Sequence, residues 1–339
     1  MLLYKVLPHT SFYKFMFILL VFTQTFLLYV LRSPYIGTDT YTMMMDYICS
    51  NANMLNVAPL YYFIKNIFYQ FIPFQQGYMI LCGIFIIGGT FYYIYRNSKN
   101  ILLSIFLFFS LYFFFQSMNI ARQFIAIVLV ANGMVFIWEN RKWIAILLFL
   151  AALFIHSTAF VLMPLLILLF INESQKRKIF LFLFCAFLMC YEPILQVFVS
   201  LFPKYDMYVE SGMLFEIGKN RKVLLTIFYL FILCVSYIVY RKVKNINSLK
   251  ENKQWELLIF CLSVTVLIGI LSMNSILLTR IEYYFSFTLI LFVPLVLSKF
   301  KLNNKPILYI LTCLFFSIPG IFQFIMNYGN IRPYLFFWE

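Results

Sequence analysis

Charge is what this sequence has least of: 11% of its 339 residues are Asp, Glu, Lys or Arg. A soluble domain carries about a quarter charged residues, so no water-facing surface can be built from this inventory. Histidine is also scarce. His9 and His156 are the only two, which excludes a histidine-rich metal centre. Of seven cysteines, Cys82, Cys185, Cys190, Cys234, Cys261 and Cys313 fall in apolar runs, and Cys49 alone lies in an expected loop. A disulfide framework is therefore not expected. The first expected outer loop holds no Asp-x-Asp pair, and Asp39 and Asp46 stand seven residues apart. A hard divalent cation wants several clustered oxygen ligands, so no metal and no other cofactor is expected.

What is present is apolar. The chain is 64% hydrophobic and 21% aromatic, and runs of bilayer-crossing length recur along it. The expected fold class is all-α: one polytopic membrane domain over 1–339 with about eleven transmembrane helices. The spans are placed near 12–31, 77–95, 101–117, 122–138, 142–156, 157–171, 179–200, 223–240, 255–273, 277–298 and 306–325. The first follows Lys5 and Lys14, is too long for a signal-peptide core and lacks a small-residue cleavage site, so it reads as a retained anchor.

The net charge of +14 is distributed in clusters between the spans, at Arg96–Lys99, Arg141–Lys142, Lys176–Lys178, Arg241–Lys253 and Lys299–Lys305. This is the positive-inside pattern, not a nucleic-acid-binding surface. With the N-terminus cytoplasmic and the C-terminus outside, seventeen Lys/Arg and four acids fall on the inner side; the other nine Lys/Arg and eight acids nearly balance. Outer loops are then expected near 32–56 and 201–222. The segment 57–72 holds Lys65 and Asn66 between Pro59 and Pro73, and counting it as a span would invert every later loop. It is read as an amphipathic helix on the outer interface, with a re-entrant segment as the alternative.

Arg141 and Lys178 are both cytoplasmic by charge, yet only about thirty apolar residues separate them. Two helices of about 14 residues rise about 21 Å each, short of a hydrocarbon core of about 30 Å. The hairpin tip at Ile155–His156–Ser157–Thr158 is expected below the outer surface, in a protein-lined cavity that satisfies its polar groups. One long tilted helix with a buried histidine is the competing reading.

The outer side also collects the unusual polar residues. Arg32 opens the first loop, which continues through Gly37-Thr38-Asp39-Thr40-Tyr41 to Asp46. An ordinary turn-rich loop explains this composition equally well. Asn119-Ile-Ala-Arg122-Gln123 lies where two spans meet, and Arg122 there either snorkels to headgroups or serves function. Arg280-Ile-Glu282-Tyr283-Tyr284 begins the tenth span; ionisable groups inside a membrane are functional candidates by default. Glu192-Pro193 interrupts the seventh span, as a kink or a cavity-facing carboxylate. The last segment, Asn327 through Arg332-Pro333-Tyr334 to Trp338, is dense in aromatics and expected to dock at the interface.

Taken together, Arg32, Gly37-Thr38-Asp39-Thr40-Tyr41, Asn119 with Arg122-Gln123, His156-Ser-Thr-Ala159, Arg280 to Tyr284 and Arg332-Pro-Tyr334 form an ordered set. It resembles the EpsG group of Wzy-type polysaccharide polymerases, from about residue 30 to the C-terminus. The resemblance implies an enzyme of the bacterial cytoplasmic membrane that polymerises lipid-linked repeat units of a capsule, exopolysaccharide or O-antigen. Its substrates would be polyprenyl-diphosphate-linked oligosaccharides, with membrane lipids, a flippase and a chain-length regulator as partners and no nucleic acid. Diphosphate needs charge stabilisation when it leaves, which suits guanidinium forks. Arg122 and Arg280 are the first choices, then Arg32 and Arg332. The acceptor hydroxyl needs a base, and His156 has a suitable intrinsic pKa; Asp39 competes for that role. Thr38, Gln123, Glu282, Tyr284 and Tyr334 are expected to position substrate. An O-antigen ligase, a metal-dependent multispanning lipid-sugar glycosyltransferase and a lipid-linked-sugar transporter remain as alternatives at this point.

Overall fold

The computed structural model describes residues 11–49, 58–162, 219–242, 249–272, 276–300 and 305–339. Within them the chain is all-helical, without a named strand. Helix α1 covers Ser11–Val30, α2 Thr40–Ile48 and α3 Pro59–Phe71. Helix α4 runs Gln76–Asn97 with a π-helical turn at Ile84–Gly88. There follow α5 (Ile101–Ser110), α6 (Phe113–Asn119), α7 (Ala121–Trp138) and α8 (Lys142–Ile155), then a 3₁₀ turn over Ser157–Leu162. Beyond 219 come α9 (Lys219–Lys242), α10 (Leu249–Leu271), α11 (Ile276–Ser286), α12 (Leu289–Ser298) and α13 (Lys305–Ile325).

Six described helical stretches are long and apolar enough to cross a membrane: Gln76–Asn97, Ala121–Trp138, Val223–Lys242, Lys250–Leu271, Leu278–Ser298 and Pro306–Ile325. A seventh is counted if α5 and α6, bent by 49°, form one broken span. The polytopic all-α class therefore stands, but the expected count of eleven does not carry over. One reason is structural: α8 has only 14 residues because the chain turns extended at His156. The expected spans 157–171 (past residue 162) and 179–200, Glu192-Pro193, His9, Lys176–Lys178 and most of the loop 201–222 lie outside the described residues.

Burial separates centre from periphery. The windows in Ala121–Trp138 and Leu278–Ser298 are 78% and 89% buried, against 33% for Val223–Lys242 and 22% for Pro306–Ile325. The peripheral helices turn Ile227, Phe231, Ile310, Leu314 and Ile321 outward, as suits lipid rather than water. The two central spans are thus α7 and the α11–α12 pair. The first turn of α7 carries Arg122 and Gln123, and the second turn of α11 carries Arg280 and Glu282.

The two ends of the bundle differ. One holds the α4–α5, α7–α8 and α12–α13 connections, where Glu139 pairs with Arg96 at 2.6 Å and Lys250 at 3.0 Å, and Lys299 pairs with Glu251 at 2.5 Å. The other holds α2, α3, the start of α7, the 3₁₀ turn after α8 and the C-terminal segment.

Candidate functional site

Helix α3 shows why its end of the bundle can hold charge below the surface. Tyr61 and Tyr62 stand four and three residues before Lys65, so both flank it on one face, and that face is buried while Phe63, Ile67 and Phe71 point out. Lys65 is 1% exposed. Its ammonium donates to the Asp46 backbone carbonyl at 2.6 Å, lies 3.7 Å from the Asp46 carboxylate and sits 4.8 Å from the Tyr62 ring centroid. Burial lowers the Lys65 pKa, and Asp46 opposes that shift. Tyr62 Oη donates to the Asp46 carboxylate at 3.3 Å, and Arg122 Nη1 donates to Tyr62 Oη at 3.4 Å. The Arg122 guanidinium also lies 5.5 Å from the Tyr61 ring centroid. Burial raises the pKa of Tyr61 and of Tyr62, so both phenols stay protonated at neutral pH. A cation on α7 is thus tied, through a phenol on α3, to a carboxylate on α2.

Gln123, next to Arg122, donates to the Arg280 carbonyl at 2.6 Å and fixes the start of α11 against α7. Glu282 is buried and Arg280 half-buried. His156 caps α8 in an extended conformation, so Lys142–Ile155 is not continued as one long helix. Its Nδ1 lies 2.7 Å from Thr158 Oγ1, which lies 3.0 Å from Tyr284 Oη. Tyr284 stands one helical turn past Arg280, so the histidine and that arginine are linked through α11.

Around Asn119 the first loop and the C-terminal segment close together. The Asn119 carbonyl oxygen accepts from the Thr38 backbone N–H at 2.7 Å and from its hydroxyl at 3.2 Å. Gly37 (φ +94°) and Gly329 (φ +78°) both turn there, and a Cβ on Gly329 would collide with the Asn119 amide. Left-handed backbone packed so closely requires glycine. Asp39 stands apart from the Arg122 cluster. It precedes α2 without capping it, and its carboxylate accepts from the Thr38 hydroxyl at 3.1 Å.

Arg32 is fully buried. It donates from Nη1 to the Tyr29 carbonyl at 2.6 Å and stacks 4.2 Å from the Tyr29 ring centroid, while Nε and Nη2 have no hydrogen-bond partner among the described residues. The C-terminal segment covers it. Ser33 N donates to Leu335 O, Phe337 N to Leu31 O, and Tyr334 Oη to Leu28 O. Burial raises the Tyr334 pKa to about 12 despite the opposing Arg32 charge. Arg332 is exposed and distant from this arrangement in role: it donates to Ile325 O at 2.5 Å and lies over the Phe324 ring.

Sequence reasoning chose Arg122 but missed Asp46, Tyr62 and Lys65 as its companions. A signal was available in the spacing of Tyr61, Tyr62 and Lys65, which puts the lysine on an aromatic face. Among the described residues no three His, Cys, Asp or Glu side chains group as metal ligands.

Comparison with known proteins adds one finding. A family model described as "EpsG family" matches residues 15–336. No curated protein and no solved structure matches the chain.

Proposed function

The chain belongs to the EpsG family, the family of Wzy-type exopolysaccharide polymerases, and on that premise we propose that it extends a glycan held on polyprenyl diphosphate at the outer face of the bacterial cytoplasmic membrane. The hydroxyl of one lipid-linked repeat unit attacks the anomeric carbon of the growing chain. The bond from that carbon to the diphosphate oxygen breaks, its electron pair leaves on the diphosphate, and the hydroxyl proton passes to His156. Attack from the side opposite the leaving group inverts the anomeric centre.

The observation that carries this reading is that Arg122 and Arg280 stand on the two most buried of the described spans, held together where Gln123, next to Arg122, bonds the Arg280 backbone carbonyl. Fixed donors aimed at developing charge act most strongly where water is excluded. Asp46, Tyr62 and Lys65 set the direction of Arg122; Thr158 and Tyr284 set the ring of His156. Arg32 contributes two donors that meet no partner among the described residues, beside the Tyr29 ring and beneath a C-terminal segment that includes Tyr334. Asp39, with Thr38, lies at the loop edge where an acceptor sugar would enter. Diphosphate is already a good leaving group, so the reaction is read as metal-independent, and activity in chelator should persist.

Orientation follows from charge. The end bearing Arg96, Arg141 and Lys250 is taken as cytoplasmic, which places the N-terminus inside and the C-terminus outside. Exposed Cys49 should then react with an impermeant thiol reagent in intact cells, whereas Ser98→Cys should be protected. The decisive test of function is complementation of a polymerase-null strain. A ladder of polymer supports the reading; single repeat units only would reject it and favour a transporter or ligase.

A further inference from the structure

A second concentration of charge lies at the opposite end of the bundle, away from every residue assigned above. Arg96 at the end of α4, Trp138–Arg141 at the α7–α8 turn, and Lys250 and Lys253 at the start of α10 line a cavity of about 410 Å³. Four of these side chains are cations and one, Glu139, is an anion, leaving an excess of three positive charges. Glu139 organises two of them by accepting from Arg96 at 2.6 Å and from Lys250 at 3.0 Å. Lys253 is held by the Asn140 side-chain oxygen at 2.8 Å, and Asn140 itself turns in left-handed backbone (φ +61°). Arg141 makes no side-chain hydrogen bond among the described residues, so its fork remains to be used. Three separate helix ends therefore converge their cations on one hollow, rather than spreading them over the surface.

Depth identifies the kind of ligand. The helix turns beside the cavity expose Tyr92, Tyr95 and Trp143 at 50%, 54% and 74%. Such aromatics sit at the level of lipid headgroups, and Tyr92 is itself bonded to Arg96 at 2.8 Å. A cationic hollow at that level meets lipid phosphates before it meets solutes. Basic pockets between transmembrane helices suit anionic headgroups. We propose that this cavity binds the phosphate-bearing headgroup of an anionic phospholipid, whose acyl chains run along the outer faces of α4 and α8. The inference is independent of the polymerase reading, since it concerns other residues and is read by binding alone.

The test is native mass spectrometry of the purified full-length protein titrated with cardiolipin, phosphatidylglycerol or phosphatidylcholine. Wild type should retain cardiolipin and phosphatidylglycerol well above phosphatidylcholine. Each cation near a headgroup is worth about fivefold in affinity, so Arg141→Gln with Lys253→Gln should weaken cardiolipin binding about 25-fold. Arg241→Gln with Lys242→Gln removes the same charge from exposed positions that do not line the cavity, and should change binding no more than about threefold by screened attraction alone. Equal losses from the two double variants would reduce the effect to general surface charge and overturn the site. Displacement of cardiolipin by equimolar inorganic pyrophosphate would overturn the lipid assignment in favour of a soluble anion.

Discussion

At the end of the bundle where Glu139 meets Arg96 and Lys250, the Arg96, Lys250 and Lys253 cations each have a carboxylate or amide partner and stand partly in water. At the other end, Lys65 and Arg32 are buried with aromatic rings as close neighbours, and two Arg32 donors meet no partner among the described residues. The same residue types thus do different work. Exposed pairs are screened and contribute little to stability. A buried cation that lacks a full set of partners is costly, and the fold retains it where its field is strongest. Under the proposed function, the first arrangement would set orientation in the membrane, and the second would hold donors for charge that develops in the reaction.

Substitutions can break this contrast. The largest effect is expected at His156. Its replacement by Ala should lower polymer formation by about 10²–10⁴-fold, while binding of the lipid-linked donor and the amount of folded protein stay unchanged. Loss of folded protein instead would mark the His156–Thr158–Tyr284 chain as structural only.

Next comes Asp46→Ala, which strands the buried Lys65 ammonium. Removing one partner of a buried pair costs about 3–5 kcal/mol, visible as a lower thermal unfolding midpoint in detergent. Adding Lys65→Met should recover most of that loss, because no unpaired charge remains. A single variant as stable as wild type would show that Asp46 does not hold Lys65.

The smallest effect is expected at the screened end. Glu139→Gln should cost about 1 kcal/mol or less, measured by the same unfolding midpoint. Burial alone would raise the Glu139 pKa, but the Lys250 hydrogen bond and the Arg96 charge outweigh it and hold it below its ordinary value of 4.5. A depressed carboxylate contributes stability above its unfolded pKa and loses it as pH falls through the folded one. Wild type should therefore lose this small increment below about pH 4.5, and the Gln variant should lack that step.

The helices were legible in the sequence because apolar runs of bilayer length leave few other structures possible. The gathering of Arg96, Glu139 and Lys250 at one end followed from charge clusters alone, as did the break at His156 from the spacing of Arg141 and Lys178. The number of spans was less legible: the 49° bend between α5 and α6 leaves unchanged the apolar composition from which spans are read. The companions of Arg122 were hidden for another reason. Asp46, Tyr62 and Arg122 are 16 and 60 residues apart in sequence, and their contact depends on how α3 packs against the bundle. A local pattern could assign Lys65 a face of α3, but not the carboxylate that faces it.

The central claim is that Arg122 and Arg280 act on the leaving diphosphate through the forked geometry of guanidinium. The most direct measurement is the chain-length distribution made by Arg122→Lys and Arg280→Lys proteins in proteoliposomes, normalised to folded protein and supplied with lipid-linked repeat units. Lysine keeps the charge and loses the fork, so each variant should make polymer about 10²-fold more slowly or worse. Ladders of near wild-type length and rate from either lysine variant would contradict the account.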